Sequence, residues 1–105
     1  MTIQRMMTAA LLAAALGTPA FAADPNTVEM KNFDFTPMAM TVNAGTTVTW
    51  RNMDEEPHTV VSADGLFRSA ALDTKETFTF TFAKPGVYKY TCSIHPKMVG
   101  TITVK

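Results

Sequence analysis

The chain has 105 residues with nine basic and nine acidic side chains, so its formal net charge at pH 7 is zero. A balanced charge without a basic stripe argues against a nucleic-acid partner. The only cysteine is Cys92, which excludes an intramolecular disulfide as the covalent staple of a small domain.

The N-terminal segment has the features of an export signal. Arg5 is its only charged residue, an apolar run extends from Ala9 to Leu16, and Ala20-Phe21-Ala22 forms a small-x-small cleavage site. The apolar run is far shorter than the ~20 residues that a membrane-spanning helix needs. We therefore predict a signal peptide over residues 1–22, cleaved after Ala22, and a periplasmic protein without stable membrane insertion. An uncleaved interfacial anchor is the alternative.

Cleavage leaves residues 23–105, which suffice for one small domain that we expect to be monomeric. From Thr27 onward, short runs of β-branched and aromatic residues alternate with turn signals, without a sustained helical period. This pattern predicts an all-β fold of about seven short strands, either a two-sheet sandwich or a small Greek-key barrel. The predicted strands are Val28–Phe33, Met38–Val42, Thr46–Asn52, His58–Ser62, Thr77–Phe82, Val87–Cys92 and Thr101–Val104, with residues 63–74 left unassigned.

Several strands show which face they bury. Phe78, Phe80 and Phe82 alternate with threonines, as in a half-buried strand. Together with Trp50 they are interpreted as core residues, whereas the adjacent Glu55 and Glu56 are expected to be solvated.

The residues with distinctive chemistry lie near the end of the chain. Cys92, His95 and Met98 follow one another at intervals of three residues, and His58 is the only other histidine. Each taken singly has a plainer interpretation, as a buried thiol, a loop or strand histidine, or a core methionine. Taken together, a His₂Cys set with a weak axial thioether is the ligand set of a blue-copper site. We therefore predict one copper ion bound by His58, Cys92, His95 and Met98.

Longer segments carry a family resemblance. They are Phe35-Thr36-Pro37, Thr41-Val42-Asn43-Ala44-Gly45, Val48-Thr49-Trp50-Arg51-Asn52, Pro57-His58-Thr59-Val60 and Gly86-Val87-Tyr88-Lys89-Tyr90-Thr91-Cys92, followed by His95 and Met98. With these segments the chain resembles the cupredoxins, and most closely the amicyanin group. The resemblance implies a Greek-key β-sandwich of about seven to eight strands. It also implies a type 1 copper protein that is not an enzyme and that carries single electrons between a redox donor protein and an acceptor protein. It also implies outer-sphere transfer through the edge of His95.

The chain departs from the amicyanin pattern at three positions. Thr59 stands where the family usually has an Asn that supports the ligand loop, and Ile94 and Lys97 stand where Pro and Phe are usual. The amine-dehydrogenase partner of amicyanin is therefore not assumed.

The methionines and histidines bear on two rival functions. Met38, Met40 and Met53 keep a periplasmic copper carrier or copper-resistance protein as the alternative, because thioethers bind Cu(I). A multicopper oxidase requires many more histidines than the two in the chain.

Overall fold

The computed structural model describes residues 25–105, so the predicted signal peptide lies outside the described residues. Eight strands run through this part of the chain. They are β1 (Thr27–Lys31), β2 (Asp34–Thr36), β3 (Ala39–Val42), β4 (Thr46–Asn52), β5 (Val61–Ser62), β6 (Thr77–Phe82), β7 (Gly86–Thr91) and β8 (Val99–Val104).

The strands form two four-stranded sheets, one in the order β2-β1-β4-β6 and the other in the order β3-β8-β7-β5. Both sheets are mixed, because β1 pairs with β4 and β3 pairs with β8 in parallel, while the remaining pairs are antiparallel. The predicted all-β sandwich is confirmed. The sheet order places the end of β7 beside the start of β8, so the loop between them emerges at one end of the sandwich.

The core lies between the sheets and is largely aromatic. Trp50 on β4 meets Tyr90 on β7 edge to face, with ring centroids 5.4 Å apart, and both side chains are fully buried. Phe82 is buried, whereas Phe78 and Phe80 are only partly buried against the same cluster. The predicted core role of these residues is confirmed.

The prediction of one strand over Val28–Phe33 was wrong. The strand ends at Lys31, and Asn32 and Phe33 form a turn with positive φ angles of 55° and 60° before β2 begins. Left-handed backbone conformations are unfavourable for residues other than glycine unless other contacts hold them. Here both backbone N–H groups donate to the Asp54 carboxylate, more than 20 residues away in the chain.

The prediction of a strand over His58–Ser62 was also wrong, because only Val61 and Ser62 form β5. His58 instead makes an isolated antiparallel bridge with Leu72, in the segment for which the sequence predicts no element. The His58 N–H donates to the Leu72 carbonyl, and the Leu72 N–H donates to the His58 carbonyl. The chain between them doubles back, so His58 is held by a local bridge and not by a sheet.

Smaller differences concern strand ends. β3 begins at Ala39 and not at Met38, β7 spans Gly86–Thr91 instead of Val87–Cys92, and β8 begins at Val99, two residues before the predicted start. Within residues 25–105 we find no helix long and apolar enough to cross a membrane.

Candidate metal site

The β7–β8 loop is shaped by its own backbone. The His95 N–H donates to the Cys92 carbonyl at 3.2 Å, and the Met98 N–H donates to the His95 carbonyl at 2.9 Å. The Cys92 N–H in turn donates to the Met98 carbonyl at 3.2 Å, which closes the loop. Two successive turns therefore gather the three residues at one end of the sandwich.

The donor atoms of three predicted ligands form a small triangle. The Nδ1 atoms of His58 and His95 are 3.2 Å apart, and the Cys92 Sγ lies 3.9 Å from the first and 3.7 Å from the second. A circle through these three atoms has a radius of about 2.1 Å, which falls within the ~2.0–2.3 Å range of metal–nitrogen and metal–sulfur bonds. One ion in the plane of the triangle thus reaches all three atoms at bonding distance.

The four predicted residues differ in exposure. His58 and Cys92 are fully buried and Met98 is 1% exposed, whereas His95 is half-buried. Met98 and His95 line the same surface depression of about 470 Å³, together with Phe33, Ile94, Pro96 and Lys97. The structure brings all four residues together, with only the His95 ring near solvent.

The orientation of His58 is set by Asp54. The His58 Nε2 lies 2.8 Å from Asp54 Oδ2, and a carboxylate oxygen can only accept a hydrogen bond, so Nε2 carries the proton. In the neutral ring Nδ1 then has a free lone pair, and this atom faces Cys92 and His95. A carboxylate behind a metal-binding histidine is the usual device for fixing its tautomer and ring orientation.

Asp54 also holds the β1–β2 turn. Its carboxylate accepts the N–H groups of Asn32 and Phe33 at 2.8 and 2.9 Å. Burial by itself would raise the pKa of Asp54, but the bonds from Phe33, His58 and Asn32 bring that pKa below its ordinary value. A single ionised carboxylate thus ties this turn to the His58 ring.

The turn places the Phe33 ring over the site. Its centroid lies 5.3 Å from that of His58 and 4.9 Å from that of His95, edge to face in both cases. The side chain is 43% exposed. Phe33 therefore forms an apolar wall between solvent and both imidazoles.

Thr59 places two hydrogen-bond donors close to the Cys92 sulfur. The backbone N–H of Thr59 donates to Sγ at 3.3 Å, and the Thr59 hydroxyl lies 3.7 Å from the same atom. Burial alone would raise the pKa of the Cys92 thiol, but the Thr59 N–H and the His95 ring lower it overall. The site therefore favours the thiolate, which is the form that binds metals.

The segment before His58 is shaped by Asn52, which is fully buried at the end of β4. Its amide donates to the carbonyls of Glu56 and Leu72, both at 2.8 Å, and its oxygen accepts the Asp54 N–H at 2.8 Å. One side chain thus holds the segment between β4 and His58 with three hydrogen bonds. This arrangement fixes Asp54 and, through it, His58.

Sequence reasoning missed Asp54, Asn52 and Phe33 as contributors to the site. An acid four residues before a candidate histidine ligand is a possible signal, but Asp54, Glu55 and Glu56 form a continuous acidic run. Only the structure separates them, because Asp54 is largely buried while both glutamates are exposed, as predicted.

A family model described as a cupredoxin-like domain matches residues 4–104 of the chain. The protein is a cupredoxin. Amicyanin-alpha of Methylorubrum extorquens is 34% identical over 104 residues, which cover 93% of this cupredoxin and 87% of that protein. Amicyanin of Paracoccus denitrificans is 36% identical over 69 residues, which cover 61% of this chain but only 53% of that protein. A solved structure of a reduced amicyanin mutant matches with a TM-score of 0.73 at 27% identity, over 82% of this chain and 88% of that one.

These matches confirm the predicted family and the predicted similarity to amicyanins. The donor set also fits the predicted cofactor, since a buried thiolate with two imidazoles and a nearby thioether suits copper in both oxidation states. The cofactor of this cupredoxin is one copper ion.

Proposed function

We propose that this cupredoxin is a periplasmic one-electron carrier whose copper ligands are His58, Cys92, His95 and Met98. The observation that carries the proposal is the triangle of His58, His95 and Cys92 donor atoms, with a centre about 2.1 Å from each. When bound, copper supplies the electron by alternating between Cu(I) and Cu(II). The four side chains supply a ligand set that accommodates both states.

The surroundings of the site support electron transfer and not conversion of a substrate. His58 and Cys92 are fully buried and Met98 is 1% exposed, so a small molecule cannot reach these three side chains. The carboxylate of Asp54 fixes the His58 ring, and Thr59 fixes the Cys92 sulfur. Ligands that are held in this way move little when the charge at the centre changes, which favours outer-sphere transfer without catalysis.

The exit route that we propose is the His95 ring, the most exposed of the four side chains. It lies in the depression lined by Phe33, Ile94 and Pro96, where Phe33 and Ile94 are 43% and 48% exposed. An apolar surface around the His95 ring lets a donor or acceptor protein approach the ring closely and dissociate quickly. Lys97, exposed on this rim, adds a charged contact that can discriminate between partners.

The proposal includes export. A signal peptide over residues 1–22 delivers residues 23–105, as a single monomeric domain, to the periplasm. Mass spectrometry of the protein isolated from the periplasm tests this part. Cleavage after Ala22 gives a chain that begins at Ala23, whereas an uncleaved anchor retains Met1 in a membrane fraction.

The alternative of a copper-delivery protein receives less support from the methionines. Met38 is 56% exposed, but Met40 packs against the hydrophobic core and Met53 is half-buried. The Met38-x-Met40 pair therefore does not present two thioethers to solvent together.

The test is a visible and electron-spin-resonance spectrum of the protein loaded with Cu(II), followed by voltammetry. We expect one copper per chain, an intense blue colour that is lost in Cys92→Ser, and a reversible one-electron wave. Met38→Ala is the matched control, because it removes an exposed sulfur and should leave the colour unchanged. A colourless one-to-one complex with a tetragonal resonance spectrum would refute the proposal.

A further inference from the structure

A pair of hydroxyl groups lies directly behind the Cys92 sulfur. The Thr59 Oγ1 is 2.8 Å from the Ser93 Oγ and 3.7 Å from the Cys92 Sγ. Thr59 is 7% exposed, whereas the Ser93 side chain reaches the surface. The pair therefore connects a buried sulfur to solvent through two side chains.

The hydroxyl group of Thr59 can make only a few hydrogen bonds. A hydroxyl has one proton to donate and two lone pairs. One lone pair accepts the Ser93 backbone N–H at 2.7 Å. The proton of Thr59 can then point to the Ser93 oxygen or to the Cys92 sulfur, but not to both.

The direction of the Ser93–Thr59 bond decides between these arrangements. If Ser93 donates, Thr59 accepts through its second lone pair and its own proton is free for the sulfur. If Thr59 donates to Ser93, the sulfur loses that donor. Negative charge on the thiolate favours the first arrangement, in which the two hydroxyl dipoles align and strengthen each other.

We infer that Ser93 and Thr59 form a donor relay to the Cys92 thiolate, in which Ser93 acts as a positioning residue that directs the Thr59 proton to the sulfur. The inference rests on the proposed function, because it concerns the same copper site. Hydrogen bonds to the cysteine sulfur tune the potential of a blue-copper site. Donation stabilises the thiolate more strongly in the reduced state, where less of its charge is shared with the metal, so the relay raises the reduction potential.

The relay also explains how the chain manages without the Asn that its family usually has after the first histidine. The Thr59 hydroxyl accepts the Ser93 N–H and so supports the ligand loop from the same position. It differs from an amide in depending on a second side chain for the direction of its proton. The potential of this protein is therefore sensitive to a residue that is not a ligand and does not donate to the sulfur itself.

The test is a double-mutant cycle on the copper-loaded mature protein, read out as reduction potential and as energy of the charge-transfer band. Thr59→Val removes the donor while keeping the shape of the side chain. We expect it to lower the potential by the equivalent of roughly a tenfold change in the redox equilibrium, ~59 mV for one electron. Ser93→Ala should lower the potential by a smaller amount, because Thr59 keeps its proton but loses the aligned partner.

The decisive result is the interaction between the two changes. Ser93→Ala should have no further effect in the Thr59→Val background, since Ser93 acts only through the Thr59 hydroxyl. Thr59→Ser should keep the wild-type potential, and Thr103→Val, half-buried in β8, is the matched control without effect. Thermal unfolding of each apoprotein shows whether a variant is folded. Because Ser93 is exposed, its variant tests the relay even if Thr59→Val unfolds.

Two results would overturn the relay. A Ser93→Ala variant with a raised potential would mean that Thr59 donates to Ser93, and equal shifts in both backgrounds would mean that Ser93 acts independently of Thr59. Either result leaves a blue, redox-active wild type, so the proposed function survives. A wild-type protein without the blue band would instead refute the proposed function itself.

Discussion

Replacement of Asn52 by alanine should destabilise the protein strongly, although Asn52 is not a ligand. Its side chain makes three hydrogen bonds of 2.8 Å, to Glu56 O, Leu72 O and Asp54 N. Each buried hydrogen bond contributes about 1 kcal/mol net. The Leu72 carbonyl keeps its hydrogen bond from the His58 N–H, so the loss of the Asn52 bond to this carbonyl is partly compensated. We therefore expect a loss of about 2–3 kcal/mol in the free energy of unfolding.

Urea and thermal unfolding of the apoprotein measure this loss. For a domain of this size, about 2–3 kcal/mol corresponds to a fall in Tm of roughly 8–24 °C. Asn43→Ala is the matched control, because Asn43 is exposed and its carbonyl keeps the bond to the Thr46 N–H. Asn52→Asp should be at least as damaging as alanine, since it points a buried carboxylate at two carbonyl oxygens. An Asn52→Ala variant within ~0.5 kcal/mol of wild type would refute the reasoning.

Three further changes test other parts of the structure. Gly100→Ala places a methyl group against the ring and hydroxyl of fully buried Tyr90, so overpacking should cost about 1–3 kcal/mol in urea unfolding; a neutral effect would contradict the close contact. Asp54→Asn should destabilise the apoprotein at neutral pH. Because the folded-state pKa of Asp54 is lowered, its contribution to stability is present above about pH 4 and is lost as pH falls through that pKa. The difference in free energy of unfolding between the variant and the wild type should therefore narrow in acid. A difference that stays constant with pH would contradict this role of Asp54. Met98→Gln should keep copper but lower the reduction potential in voltammetry, since an oxygen donor favours Cu(II); a larger shift in Met38→Ala would contradict the ligand assignment.

The parts of the fold that follow from local patterns were predictable. β4 and β6 have the predicted boundaries, because threonine alternates with phenylalanine over all six positions of β6 and with Val48 and Trp50 in the middle of β4. The proposed ligand set could be named from the sequence, because three of its members lie within one short segment. In contrast, the turn at Asn32 and Phe33 follows no local signal, since the carboxylate that holds it comes from Asp54.

The same limit applies to the surroundings of the copper site. Thr59 was recognised as a departure from the family, but its hydroxyl meets Ser93 across 34 residues of chain. The bridge between His58 and Leu72 likewise joins the start of a predicted strand to a segment for which the sequence predicts no element. Contacts of this kind depend on the packed sandwich, and neither periodicity nor residue spacing encodes them.

The ligand loop has a consequence for how copper and folding are linked. Three of the proposed ligands, Cys92, His95 and Met98, lie within seven consecutive residues, whereas the fourth, His58, is 34 residues from Cys92 and joins them only when the two sheets have packed. We therefore expect the unfolded chain to bind Cu(I) through three local donors. A metal that binds both states stabilises the fold only by the difference between its two affinities. Copper can thus be captured before the sandwich closes, and the stabilisation that it then gives to the native state comes mainly from His58 and from the exclusion of water.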